Sequence, residues 1–97
     1  MSSLRIALAQ INSTVGDLAG NARRITEFAD RARAAGAHLV VTPELALCGY
    51  PPEDLLLRPD FYRAGARVLG ELAARLEGIA VVVGHPEEHR GDYFNAA

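Results

Sequence analysis

Val40-Val41-Thr42-Pro43-Glu44-Leu45-Ala46-Leu47-Cys48-Gly49-Tyr50-Pro51-Pro52-Glu53-Asp54-Leu55-Leu56-Leu57 sets an apolar run directly against an acid, a thiol, a glycine turn and a phenol. The run that ends at Thr42-Pro43 reads as a strand buried on both faces, because it is nearly continuous in apolar residues. Proline closes it, having no N–H to give a ladder. Side chains that leave the carboxyl end of a strand in an α/β protein are aimed by a rigid sheet, and chemistry is usually placed there. Glu44 is the first such side chain.

Outward from this stretch the hydrophobic period changes in step with the glycines. Ala22, Ile25, Phe28, Ala29, Ala32 and Ala35 fall at helical spacings, and Arg23, Arg24, Glu27, Asp30, Arg31 and Arg33 take the other face. An amphipathic helix from about Asn21 to a stop at Gly36 follows. Ahead of it, Leu4 to Ile11 is a short apolar strand, and Asn12 to Asp17 is rich in turn residues. Ala37 to Thr42 is the second strand. Glu53-Asp54 before three leucines reads as a short helical turn begun by acids, which suit the positive end of a helix. Arg58-Pro59-Asp60 opens a second long helix, with Phe61, Ala64, Val68, Leu69, Leu72 and Leu76 on its apolar face and Gly78 as its stop. Ile79 to Val83 is the third strand, Gly84-His85-Pro86 a turn, Glu87 to Asp92 a polar segment, and Tyr93 to Ala97 the start of a further strand.

The order β-α-β-(short helix)-α-β-β predicts an α/β fold with a mainly parallel sheet. Two helices on crossovers that run one way cover one face of three buried strands. The other face would then show Val and Ile over on the order of several hundred Å², more than a lone monomer usually exposes. Either another sheet packs there or the chain continues. A pattern that breaks off at Asn95-Ala96-Ala97 favours residues 1–97 as the front part of a larger domain.

Composition narrows the partners. The 97 residues, 49% hydrophobic and 23% charged, suit one small globular unit. A net charge of -2 with scattered cations offers no footprint for nucleic acid. Met1-Ser2-Ser3-Leu4-Arg5 and the short apolar segment after it are too brief for a leader or a membrane span. With one cysteine there is no internal disulfide, and a cytoplasmic protein is expected. All ten basic residues are arginines, so a mechanism that needs lysine is not completed within this sequence.

At Glu44 the plain reading is a solvated carboxylate at a strand end; the functional one is a general base whose pKa is raised by neighbours such as Leu45 and Leu47. Cys48 has no basic neighbour in sequence to lower its pKa, so a small buried hydrophobe is expected rather than a nucleophile. His38, His85 and His89 lack metal-ligand spacing, and no metal site is read. The glycines match neither a dinucleotide fingerprint nor a phosphate loop with its lysine. Tyr50, held before Pro51-Pro52, is presented in one orientation, suited to lining a substrate pocket and equally to packing.

Arg5 to Asn12 with Val15-Gly16-Asp17 and Asn21, followed by Pro43-Glu44-Leu45, resembles the first strand, loop and first catalytic motif of the nitrilase, or carbon-nitrogen hydrolase, superfamily. Gly49-Tyr50-Pro51-Pro52-Glu53-Asp54-Leu55-Leu56-Leu57-Arg58-Pro59 narrows the resemblance to the N-terminal glutaminase domains of bacterial glutamine-dependent NAD synthetases. The resemblance covers the whole chain. It implies an α-β-β-α sandwich and a Glu-Lys-Cys triad, of which only Glu44 falls in this sequence, as general base. Tyr50 is implied beside the glutamine pocket. The lysine and nucleophilic cysteine belong to motifs beyond Ala97, and Cys48 does not hold the nucleophile's place, so the chain is expected to be inactive alone.

For the parent the resemblance implies hydrolysis of glutamine through a cysteine thioester. The ammonia then serves an ATP- and magnesium-dependent amidation of nicotinic acid adenine dinucleotide in a second domain. A homo-oligomer is implied for the parent, with no nucleic acid and no membrane partner, and this chain itself is expected to hold no cofactor. The other readings are a piece of a free-standing ω-amidase or nitrilase-like hydrolase, and a non-catalytic α/β module that binds a partner.

Overall fold

The structure, a computed structural model, describes residues 3–97; Met1 and Ser2, which open the segment read above for a leader, lie outside the described residues. The elements run β1 (Ile6–Leu8), α1 (Leu18–Ala34), β2 (Leu39–Val41), a 3-10 helix (Glu53–Leu57), α2 (Pro59–Arg75), β3 (Ala80–Val82), β4 (His85–His89) and β5 (Asp92–Ala96). The order is the one the hydrophobic pattern predicts, with one strand more. Where a turn and a polar segment were expected, residues 85–89 form β4 and pair antiparallel with β5. Its sequence, His-Pro-Glu-Glu-His, carries no apolar alternation because the hairpin stays outside the core: only His85 and Pro86, at its start, are half-buried, and Glu87 to His89 are exposed.

β1, β2 and β3 form a parallel sheet in that order, and the register explains the packing. Ala7, Val40 and Val81 form one row across the sheet, and Ile6–Leu39–Ala80 and Leu8–Val41–Val82 form the rows either side. Successive residues of a strand face opposite ways, so the first row points to one face and the other two to the opposite face. The first face is covered. Val40 packs with Ala9, Ala32 and Phe28, while Val83, Val68, Leu72 and Ile25 form a second cluster around Leu47. Both long helices therefore lie on the same side of the sheet. On the opposite side, Ile6 and Leu8 remain 52% and 71% exposed. The bare second face expected from the sequence is present, and the β4–β5 hairpin packs against α2 instead of covering it.

Local chemistry sets the helix limits. Asp17 caps α1 by accepting from Gly20 N at 3.0 Å, which starts the helix three residues earlier than the apolar period alone suggests. Gly36, the expected stop of α1, follows its C-cap Ala35 with left-handed backbone at φ 91°; α2 instead ends at Arg75 with extended Leu76 as its C-cap, so Gly78, at φ 73°, lies past the helix end rather than stopping it. In α2 it is Tyr62, more than Phe61, that turns inward; its hydroxyl donates to Leu56 O at 2.8 Å, which satisfies the polar end of a buried ring.

Candidate active site

Thr42 turns the corner from β2 into the 43–49 turn. Its backbone N–H and its hydroxyl both donate to Val82 O, at 3.0 and 2.8 Å, and the hydroxyl accepts from Gly84 N at 3.1 Å. The ends of β2 and β3 are thereby fastened together, and the next residues leave the sheet at a fixed angle. Leu45 adopts φ 51°, a left-handed conformation that costs a residue with a branched side chain on the order of 1–3 kcal/mol and survives only where neighbours enforce it. They do so here: Leu47 N donates to Gly84 O at 3.0 Å, and Ala46 N to Pro43 O at 3.2 Å.

The next turn is held from the side of the 12–17 loop. Asn21, fully buried at the start of α1, donates through Nδ2 to Thr14 O at 2.8 Å and Leu47 O at 2.9 Å, while its Oδ1 accepts from Thr14 N at 2.8 Å. Ser13 Oγ donates to Ala46 O, and Gly16 N to Cys48 O. Gly49 is where the two loops cross: a Cβ there would sit 2.6 Å from Val15 Cα, so no larger residue fits. Asn21 stood in the sequence only as part of a family likeness. Its role as the tie between the loops has no local signature, since Leu47 is twenty-six positions away.

On this frame Glu44 sits at the carboxyl-end rim of the sheet, three residues past β2, with an exposed carboxylate. Glu44 and Tyr50 line one small hollow of about 110 Å³, together with Ile11, Asn12, Ser13 and Ala46. Tyr50 is 65% exposed, and the peptide bond between it and Pro51 is cis. Of the two leucines expected beside Glu44, Leu45 lines the same hollow, whereas Leu47 is turned into the core cluster. One side chain does meet the carboxylate: Asn95 on β5 donates from Nδ2 to Glu44 Oε1 at 2.8 Å. Nothing in the sequence pairs these two residues, which lie fifty-one positions apart.

Cys48 is fully buried, with Sγ 3.6 Å from Leu45 O and 3.4 Å from Gly49 O. Burial pushes the thiol's pKa up, against a smaller opposing effect of its backbone hydrogen bond. Its surroundings are those of a packing residue. His38 Nδ1 accepts from Arg5 N at 3.0 Å, which gives that imidazole a structural partner. Among the described residues no three His, Cys, Asp or Glu side chains gather as metal ligands, and no helix is long and apolar enough to cross a membrane. A larger hollow of about 410 Å³ lies along β3 between Leu69, Leu72, Leu76 and Ile79. Its lining is mainly aliphatic, with His85 at its margin, and does not include Glu44.

Known proteins are similar to this chain along most of its length. A glutamine-dependent NAD(+) synthetase of Synechocystis is 51% identical over 85 residues, which is 87% of this chain and 15% of the relative; one from Xylella fastidiosa is 47% identical over 97% of this chain and 17% of the relative. The chain thus spans about one-sixth of the length of such relatives. The crystal structure of a glutamine-dependent NAD(+) synthetase from Cytophaga hutchinsonii superimposes with a TM-score of 0.90 at 31% identity, covering 97% of this chain and 16% of that one. An amidase from Nesterenkonia superimposes at 0.73 and 34% identity, over 89% of this chain and 33% of the amidase. With residues 5–97 matching the carbon-nitrogen hydrolase family, the chain belongs to that family.

Proposed function

We propose that these residues form the front of the glutaminase domain of a glutamine-dependent NAD synthetase, and that Glu44 is its general base. The observation that carries the reading is the position of Glu44: a carboxylate at the carboxyl-end rim of a parallel sheet, in one hollow with Tyr50, on a turn fastened from three sides. Likeness to synthetases along 97% of the chain, at a higher TM-score than the likeness to the amidase, supports a synthetase over a free-standing hydrolase.

In this reading Glu44 takes the proton of a cysteine thiol supplied from outside these residues, because a free thiol is mostly protonated near neutrality. The thiolate adds to the glutamine carboxamide carbon. As the C–N bond breaks, the proton passes from Glu44 to the leaving nitrogen and ammonia departs. Water, activated by the same carboxylate, then cleaves the thioester to glutamate and free thiol. A lysine from outside these residues stabilises the oxyanion, and Tyr50 borders the glutamine pocket. ATP and magnesium do not fit the residues present: the chain has no lysine, and its described residues hold no carboxylate cluster. In this reading they act in the parent's second domain, and the protein works in the cytoplasm.

The full-length protein, given glutamine, ATP, magnesium and nicotinic acid adenine dinucleotide, is expected to form NAD; ammonia release from glutamine or short amides with no NAD formed would instead make it a free-standing amidase. Residues 1–97 alone are expected to release no ammonia from glutamine. Turnover by that piece would contradict the placement of lysine and nucleophile outside it.

A further inference from the structure

We infer that Asn95 is a positioning residue for Glu44, holding one oxygen of the carboxylate so that the other faces the proton it must take. The inference rests on the reading of Glu44 as base and adds a second residue to that site. An exposed glutamate explores several side-chain rotamers, each reached at little cost. A base is useful only in the one that brings an oxygen within hydrogen-bond reach of the proton. Asn95 Nδ2 occupies Oε1 at 2.8 Å, which leaves Oε2 as the acceptor.

Asn95 is in turn held by a rigid element. Pairing of β4 with β5 sets Asn95 opposite Pro86 and Tyr93 opposite Glu88. Tyr93 and Asn95, two residues apart on one strand, share a face. The Tyr93 ring rests on that of Tyr62, centroids 4.6 Å apart, and Tyr62 is anchored in α2 with its hydroxyl on Leu56 O. A path of packed groups therefore runs from the buried face of α2 through the hairpin to the carboxylate. The choice of an amide is chemically apt: it orients a carboxylate by a hydrogen bond without setting a full positive charge beside it.

The test uses the full-length protein with glutamine and, separately, with ammonia as nitrogen source, because ammonia bypasses the glutaminase site. Asn95→Ala is expected to lower the glutamine-driven kcat by about ten- to a hundredfold, the usual effect of misplacing a catalytic group by an ångström. KM for glutamine should change little and the ammonia-driven rate should persist. Asn95→Asp is expected to be worse than Asn95→Ala, since it turns a second carboxylate toward Glu44. In a Glu44→Gln background, Asn95→Ala should cause no further loss. An unchanged kcat, a loss confined to KM, an equal loss with ammonia, or full additivity in the double variant would each overturn the inference. If Glu44→Gln alone leaves the glutamine rate intact, the underlying reading of Glu44 fails, and the inference with it.

Discussion

Gly84 and Pro43 stand so close that a Cβ on the glycine would lie 2.6 Å from the Pro43 carbonyl oxygen and 2.7 Å from Leu45 N. The second residue after β3 thus forms the floor of the turn that carries Glu44, and only a hydrogen atom fits between them.

Gly84→Ala is therefore expected to push the turn outward. In the full-length protein the stability loss should be about 1–3 kcal/mol, the usual result of overpacking, with glutamine-driven turnover falling at least tenfold as Glu44 shifts. Gly70→Ala is the contrasting substitution. Gly70 lies inside α2 with open space where a Cβ would go, so alanine should stabilise by roughly 0.5–1 kcal/mol through lower backbone entropy in the unfolded chain. Denaturant titration of both variants checks the opposite signs.

Removal of the Asn21 amide should loosen both loops together. Asn21→Leu leaves the buried Leu47 O and the part-buried Thr14 N and Thr14 O without their partner, and a loss of roughly 1–3 kcal/mol is expected. Asn21→Asp keeps an acceptor for Thr14 N but no donor for the two carbonyl groups. Amide hydrogen exchange should accelerate in residues 12–17 and 44–49 of both variants; protection equal to the parent's in either loop would contradict the tie.

Cys48 supplies an alkaline limit to stability. In the unfolded chain a thiol loses its proton near pH 8.5, roughly; burial raises the folded pKa above that. Between the two values the unfolded state has released a proton that the folded state keeps, so stability falls as pH rises through this window. Cys48→Ala should flatten that part of the stability profile and leave glutamine turnover in place. Loss of turnover in Cys48→Ala would contradict its assignment as a packing residue.

The fold was legible wherever one period dominates. Ile25, Ala29 and Ala32 mark the apolar face of α1, Val68 and Leu72 that of α2, and Gly36 stops α1 where left-handed backbone is needed, whereas α2 ends at Arg75, short of the expected Gly78. The row Ala7–Val40–Val81 and the bare face opposite follow from a parallel sheet with both helices on one side. β4 was not legible, because His85 to His89 carry no apolar alternation and are held by pairing with β5 and by contact with α2. The same holds for the site. Glu44 and Tyr50 could be chosen because they leave a strand end within one short stretch. Asn21 and Asn95 could not, since each acts across 26 and 51 positions and an asparagine says nothing alone about its partner.

The most direct measurement of the central claim is the rate of NAD formation by the full-length Glu44→Gln protein with glutamine and with ammonia, side by side. Loss of the base is expected to lower the glutamine-driven rate by roughly a hundredfold or more while the ammonia-driven rate is retained. A glutamine-driven rate equal to that of the unsubstituted protein would contradict the role assigned to Glu44.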